Sequence, residues 1–197
     1  MLLIGLTGNY GMGKSTVLQM FHREGALTIS ADSIVKKLLK KKSVLKKIRE
    51  MLGEKVFDTD GRLIKAKVSD MIFKDTVLRH KVEDILHPLV FKEIDLLTKG
   101  RKGIAIVEAP VVFERGYEDR FYKTVVVYTN ETTAIERLAL SGIKTKEAIK
   151  RLSSQMPIKE KIKKADFAID NSGTLDKTRI QVKDIYTELR LLKKGID

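Results

Sequence analysis

The sequence predicts a doubly wound α/β fold, in which helices cover both faces of a parallel β-sheet. Short apolar segments alternate with longer amphipathic ones along the chain, which is the order that such a fold requires. The apolar segments are nearly continuous, as in strands that are buried on both faces. A glycine-rich turn joins the first of them to a helical pattern. The 197 residues, 43% of them hydrophobic, suit one domain, or one core with an insertion.

The predicted elements follow one another along the chain. After an apolar strand that ends before Gly8, strands are predicted at Ala26–Ser30, Gly103–Pro110, Lys123–Thr129 and Ala165–Asp170. Helical periodicity is predicted from the glycine-rich turn to Gly25, over 33–100, at about 131–141, 145–155 and 158–164, and at Thr178–Lys194. Within 33–100, a turn is predicted at Phe57–Arg62 and a helix break at His87–Pro88.

The glycine-rich turn, GNYGMGKS at Gly8–Ser15, matches the phosphate-binding pattern GxxxxGK[ST]. Glycines let the backbone approach a ligand closely, and the start of the next helix attracts an anion. Lys14 is expected to meet the β- and γ-phosphates, and Ser15 to ligate Mg²⁺. The alternative, an ordinary strand-to-helix turn, is disfavoured because the flanking strand and helix are both present. The pattern therefore predicts a site for a nucleoside triphosphate.

Asp32 follows the second predicted strand directly, at the sheet edge where ligands of open α/β folds bind. A carboxylate near the phosphates is what a kinase needs to accept or orient a hydroxyl proton. Asp32 is also a good N-cap for a helix that begins at Ser33. The two roles are compatible, and we expect the catalytic one.

The net charge of +13 raises nucleic acid as a possible partner. The densest basic run, Lys36–Lys47, is interleaved with an apolar stripe, which favours a solvated helix face over attraction of an acidic ligand. No nucleic-acid-binding motif occurs, so this partner is a minor alternative. The absence of cysteine excludes disulfides and thiolate metal sites. No apolar run has the length of a membrane span, which predicts a cytoplasmic protein without a membrane partner.

Several motifs, in the right order, resemble the dephospho-CoA kinase family. The family opening GLTGGIGSGKST is similar to GLTGNYGMGKST here, and its DAD corresponds to Ser30–Asp32. Further matches are a DGR turn at 60–62, ILHPL at 85–89, PVVFE at 110–114, QMP at 155–157 and IDNSG at 169–173. The chain departs from the family at Asn9–Tyr10, which replaces Gly-Ile, at Met12 and Ser30, and at Ser141, where an arginine is common.

The resemblance implies a P-loop kinase core with a five-stranded parallel sheet in one domain over 1–197. It also implies a helical acceptor-binding insertion at 33–100 and a small helical lid at 137–160. The implied reaction uses ATP and Mg²⁺ to phosphorylate dephospho-CoA, with Asp32, Lys14 and Arg137 as catalytic residues. The implied ATP-binding residues are Gly8, Asn9, Tyr10, Gly11, Met12, Gly13, Lys14, Ser15, Thr16, Arg137, Arg151 and Asn171. The implied acceptor-binding residues are Asp32, Lys65, Arg79, His87, Pro88 and Glu114. Ser15 is expected to bind Mg²⁺ directly, and Glu108, at the end of a predicted strand, through water.

Alternatives stay open for several of these residues. Asp170–Gly173 also suits an Asx-type turn, and His87 suits helix-end packing. Arg137 suits a surface ion pair with Glu131, Glu136 or another neighbour. The alternative functions are a P-loop kinase of another small acceptor, such as a nucleoside monophosphate or shikimate, and a basic nucleic-acid-binding ATPase.

Overall fold

A five-stranded parallel sheet lies at the centre of the computed structural model, which describes residues 1–195. Its strands are β1 (Leu2–Thr7), β2 (Leu27–Ser30), β3 (Ile104–Glu108), β4 (Lys123–Tyr128) and β5 (Phe167–Asp170). Their order in the sheet is β2-β3-β1-β4-β5. The predicted α/β class and all five strands are therefore confirmed. Because every pairing is parallel, the carboxyl ends of the strands share one edge of the sheet.

Nine α-helices occur in the described residues. They are α1 (Lys14–Arg23), α2 (Ala31–Leu38), α3 (Lys42–Leu52), α4 (Lys65–Lys74), α5 (Thr76–Thr98), α6 (Glu131–Leu140), α7 (Thr145–Ser153), α8 (Ile158–Lys164) and α9 (Leu175–Lys194). The turn predicted at Phe57–Arg62 is present, since the Asp58 carboxylate accepts hydrogen bonds from the backbone N–H groups of Asp60 and Arg62 at 3.0 and 2.7 Å.

The main hydrophobic core joins the sheet to α1 and α9. Phe21 of α1 is fully buried and meets Tyr186 of α9 edge to face, with 6.4 Å between ring centroids. Ile4, Val125 and Ile169 supply the sheet side of the same core. Burial of each such side chain stabilises the fold by roughly 1.5–3 kcal/mol. This packing holds α1, and with it the glycine-rich turn, firmly at the end of β1.

The chain forms two compact units. One consists of Met1–Ser30 and the segment that begins at Gly100, and it contains the whole sheet. The other, Ala31–Lys99, is helical, and α5 packs there against α2, α3 and α4. The exposed lysines of the basic run lie on α2, on α3 and in the turn between them, with Ile34 and Ile48 buried beneath. None of the helices among residues 1–195 combines the length and the apolarity that crossing a membrane requires.

Two local predictions in the helical unit were wrong. The helix α5 runs unbroken from Thr76 to Thr98 with Pro88 inside it. Proline removes one backbone hydrogen bond, but the buried stripe Val82, Leu86, Val90 and Ile94 continues on both sides of it. We attribute the unbroken helix to this packing. The helix α2 begins at Ala31 rather than Ser33, which places Asp32 inside the first turn and removes it as an N-cap.

Asp166 joins β5 to β4 through its side chain. Its carboxylate accepts hydrogen bonds from Lys123 Nζ at 2.7 Å and from the backbone N–H and hydroxyl of Thr124 at 2.8 and 2.9 Å. Burial raises the pKa of Asp166, but these hydrogen bonds outweigh it and leave the pKa below its usual value. The charged form is thus favoured in the folded state, so its contribution to stability is present above the unfolded pKa and lost as the pH falls through the folded one.

We therefore expect Asp166→Asn to lower the free energy of unfolding by about 1–2 kcal/mol at neutral pH. The difference from the parent should shrink as the pH falls below the ordinary Asp pKa of about 4. Urea titrations across this pH range measure it, with Asp176→Asn, which changes an exposed carboxylate of α9, as the matched control. A constant difference at all pH values would contradict the electrostatic explanation.

Candidate active site

The loop from Gly8 to Gly13 connects β1 directly to α1. Gly11 and Gly13 have φ angles of 73° and 88°, a conformation that disfavours any residue with a Cβ atom. A Cβ on Gly11 would collide with the carbonyl oxygen of Ala134 in α6, and one on Gly13 with the side-chain amide of Asn171. Glycine is therefore required at both of these positions, because the loop turns sharply and packs closely against later parts of the chain.

The N-terminus of α1 is built to receive an anion. Gly13 precedes the helix without any side-chain cap, and the first turn of this fully described helix carries no acidic residue. The positive end of the helix dipole is thus left for a ligand. Lys14 is the first residue of α1, and its Nζ donates to the carbonyl oxygen of Asn9 at 3.1 Å. The ammonium group is thereby held at the loop backbone, where phosphate is expected.

Ser15 and Glu108 form an oxygen pair at the carboxyl edge of the sheet. The Ser15 hydroxyl donates to Glu108 Oε1 at 3.0 Å. Glu108 is the last residue of β3 and is buried. A hydroxyl beside a carboxylate suits Mg²⁺, which prefers oxygen ligands and usually keeps several waters and substrate phosphates. No larger His, Asp or Glu cluster suited to a metal occurs in residues 1–195.

Arg137 brings a second cation to the loop. Its Nη2 donates to the carbonyl oxygen of Asn171 at 3.0 Å. Its Nη1 is buried with no hydrogen-bond partner among the described residues, and lies 3.6 Å from where a Cβ on Gly13 would stand. A buried donor without a partner is costly unless a ligand satisfies it. Within residues 1–195 Arg137 forms no ion pair with Glu131 or Glu136, so the surface-pair alternative is not supported.

Asn171 stabilises the loop through a hydrogen bond from its side chain. It is buried, and its Nδ2 donates to the carbonyl oxygen of Met12 at 3.0 Å. Its Oδ1 accepts from the hydroxyl of Thr178 in α9 at 3.0 Å, and its backbone N–H donates to Tyr128 at 2.8 Å. These contacts do not favour direct contact between the Asn171 side chain and adenine. The Asx-type turn is present as well, since Asp170 Oδ1 accepts from the N–H of Ser172 at 2.8 Å.

The helices α6 and α7 pack together and carry the remaining lid residues. Arg151 of α7 forms an ion pair with Glu147 one turn earlier, with 2.5 Å between Nη2 and Oε1. Ser141 follows the end of α6, and its hydroxyl donates to the carbonyl oxygen of Arg137 at 3.0 Å. It therefore acts as a helix-end residue. Lys144 is exposed at the start of α7.

Most expected acceptor residues lie in the helical unit. Asp32 is exposed in the first turn of α2, and Lys65 begins α4. Arg79 and His87 lie on α5, two turns apart, with Glu83 between them at 4.0 Å from Arg79 Nε. Pro88 is exposed in the same helix. Because α5 continues past His87 to Thr98, His87 does not lie at a helix end, and the helix-end alternative is wrong.

Glu114, the sixth expected acceptor residue, lies in the unit that contains the sheet. Its Oε1 pairs with the fully buried Lys161 at 2.7 Å and accepts from the N–H of Met156 at 3.3 Å. Burial lowers the pKa of Lys161, while the Glu114 carboxylate opposes that effect. This pairing favours a structural role, and contact of Glu114 with an acceptor stays a prediction.

Sequence reasoning missed four residues that hold the site together. They are Gln155, Met156, Lys161 and Thr178. Gln155 Oε1 accepts from the N–H of Tyr10 at 2.9 Å, and the carbonyl oxygen of Met156 accepts from the side chain of Asn9 at 3.0 Å. The QMP match pointed to the first two residues. Thr178 carried a signal too, because it continues the apolar stripe of α9 and is buried there.

The sheet, the loop after β1 and the cations gathered around it define the chain as a P-loop kinase. Comparison with known proteins gives the family. The dephospho-CoA kinase family model matches residues 2–177. A protein of Aquifex aeolicus named dephospho-CoA kinase is 38% identical over 189 residues, covering 94% of this chain and 96% of that relative. The chain belongs to the dephospho-CoA kinase family.

Solved structures agree with this assignment. A crystal structure of a protein from Thermus thermophilus matches with a TM-score of 0.83 and 28% identity, covering 95% of this chain and 97% of the other. The dephospho-CoA kinase from Campylobacter jejuni matches with a TM-score of 0.65 and 26% identity, covering 99% of this chain and 98% of the other.

Proposed function

We propose that this protein transfers the γ-phosphoryl group of ATP to the ribose 3′-hydroxyl of dephospho-CoA, giving ADP and coenzyme A. The observation that carries the proposal is a complete phosphate-binding loop, with Lys14 and Ser15 in place, in a chain that matches the family over residues 2–177. Phosphoryl transfer depends chiefly on positioning and on stabilisation of charge, and the cations at this loop supply both.

In the proposed mechanism Asp32 accepts the proton of the 3′-hydroxyl as its oxygen attacks the γ-phosphorus. The bond from that phosphorus to the bridging oxygen of ADP breaks, and ADP leaves with the electron pair. Lys14 and Arg137 stabilise the negative charge that spreads over the transferring group. Ser15 would hold Mg²⁺ directly and Glu108 through water; the ion, when bound, neutralises charge on the β- and γ-phosphates.

The roles of the helical insertion and of the lid are also proposals. The acceptor is assigned to the helical insertion at 33–100, with Lys65, Arg79, His87 and Pro88 as its contacts. The segment 137–160 is assigned the role of a lid that brings Arg137 and Arg151 to the phosphates. The arrangement of Arg137 beside Gly13 supports this assignment.

A coupled assay of ADP formation tests the substrate. Purified protein is given ATP and Mg²⁺ with dephospho-CoA, shikimate or a nucleoside monophosphate in separate reactions. Of the three acceptors, we expect only dephospho-CoA to be phosphorylated. Turnover only with another acceptor would assign a different kinase activity. Strongly salt-dependent binding to nucleic acid without any acceptor phosphorylation would favour the nucleic-acid-binding ATPase instead.

The lid cations give a separate prediction. We expect Arg137→Ala to lower kcat by about 10²-fold, because it removes a preorganised donor at the loop, with little change in KM for the acceptor. Lys144→Ala removes an exposed cation from the same region and is expected to change kcat less than about twofold, because a solvated lysine lacks the planar fork that suits phosphate. Steady-state kinetics on both variants measure this. Equal activity of Arg137→Ala and the parent would mean that the lid cation is assigned wrongly.

A further inference from the structure

Tyr10 brings two cations of the site to one aromatic ring. Lys14 Nζ lies 5.9 Å from the ring centroid, and Arg151 Cζ lies 5.7 Å from it. Both distances are within the range of about 6 Å over which a cation is attracted to an aromatic face. Lys14 belongs to the phosphate-binding loop and Arg151 to α7. The ring therefore connects the two elements that are expected to meet the phosphates.

The position of the Tyr10 ring is fixed by its surroundings. The half-buried side chain packs against a small core formed by Met12, Ala134 and Leu152, the last being the neighbour of Arg151. The backbone N–H of Tyr10 donates to Gln155 Oε1 at 2.9 Å. The side chain of Asn9 adds a hydrogen bond to the Met156 carbonyl at 3.0 Å. Two successive loop residues are thus tied to the chain immediately after α7.

The interaction between Tyr10 and Arg151 depends on the aromatic ring. An aliphatic residue fills similar space but offers no π face to a guanidinium. Among the described residues, the Arg151 guanidinium also donates to Glu147 Oε1 on the same helix, from Nε at 3.1 Å and from Nη2 at 2.5 Å, and the Glu147 side chain is half-exposed. Such a pair contributes little by itself and directs the guanidinium along its own helix. The ring supplies an interaction that directs it toward the loop.

We propose that Tyr10 is a positioning residue that holds the Arg151 guanidinium beside the phosphate-binding loop before ATP arrives. This inference rests on the proposed phosphoryl transfer and on Arg151 as a lid cation. The same ring also attracts Lys14. Less freedom of Arg151 is then lost as the γ-phosphoryl group is transferred.

A double-mutant cycle tests the inference. Tyr10→Leu keeps an apolar side chain and removes the π face, and Arg151→Met keeps the apolar stem and removes the guanidinium. We expect Tyr10→Leu to lower kcat about 3- to 30-fold, the range given by a partly desolvated cation–π contact. In the Arg151→Met background the same change should alter kcat less than about twofold. Tyr10→Phe, which retains the ring, should recover most of the loss.

Binding is measured separately from turnover. The Kd for ATP, determined by calorimetry without acceptor, should change less than about twofold in Tyr10→Leu, since a positioning residue acts on the transferring group. Tyr122→Leu, the loss of an exposed ring elsewhere, controls for general effects of removing tyrosine. If Tyr10→Leu does not fold, Tyr10→Ile and Tyr10→Met take its place in the same cycle.

Two results would overturn the inference. One is an equal loss of kcat in both backgrounds, which would show that Tyr10 does not act through Arg151. The other is a weakened Kd for ATP with unchanged kcat, which would make Tyr10 a nucleotide contact. An inactive parent protein would instead refute the proposed function, so the two failures are distinguishable.

Discussion

Lys14→Ala is expected to abolish detectable phosphoryl transfer while the protein stays folded, with kcat lower by roughly 10³-fold or more. The ammonium group is held against the loop backbone by the Asn9 carbonyl, 3.1 Å away. It is therefore preorganised to neutralise charge on the γ-phosphoryl group as transfer proceeds. Alanine favours the helix, so the start of α1 and the core beneath it should be unaffected.

Steady-state ADP formation and a urea unfolding curve measure the two parts of this prediction. Lys42→Ala, which removes an exposed lysine at the start of α3, is the matched control and should retain full turnover. Unchanged turnover in folded Lys14→Ala would refute the assignment of the loop as the phosphate site. A large loss of stability would mean that Lys14 supports the loop rather than the reaction.

Asp32→Asn is expected to slow phosphoryl transfer by roughly 10²- to 10⁴-fold, the usual contribution of one general acid–base group. Affinity for ATP should persist, because Asp32 is proposed to act on the acceptor hydroxyl. Asp32 follows β2 by two residues, and the last residue of β2, Ser30, is in register with Glu108 of β3.

The Asp32→Asn substitution is expected to leave the fold unchanged. Asp32 is exposed within the first turn of α2 and does not cap it, so Asn changes charge with little effect on packing. The lost interaction with the helix dipole costs only about 0.3–1 kcal/mol. Asp70→Asn on α4 is the matched control, and kcat should be unaffected there. Collapse of ATP binding with normal transfer in the remaining complex would give Asp32 a structural role.

The elements that the sequence predicted well are those whose signals are local. The five strands are short apolar runs, and the loop at Gly8–Ser15 is a contiguous motif, so neither depends on distant residues. The helix break predicted at Pro88 was wrong because the prediction considered only the backbone hydrogen bond that proline removes and not the packing of the helix. The buried stripe of α5, which extends on both sides of Pro88, is a property of the packed unit.

The supports of the site were harder to predict, because they join residues far apart in the chain. Asn171 and Met12, whose side chain and carbonyl meet at 3.0 Å, are separated by 159 positions. A single sequence specifies neither the partner of a buried amide nor the direction in which it points. Arg137 was expected at the phosphates, but only the fold shows that one of its donors is buried beside Gly13 without a partner in the described part of the chain.

The link from Thr178 through Asn171 to Met12 has a consequence for biosynthesis. Earlier residues of a chain leave the ribosome first, yet the loop at Gly8–Ser15 receives its support from Asn171, directly after β5, and from α9, which are made later. The strand β1 also lies between β3 and β4 and has no partner until they are synthesised. We therefore expect a nascent chain that ends before Asn171 to bind ATP poorly even if its first helices have formed. Competence to bind nucleotide should arise late, when α9 closes over the sheet.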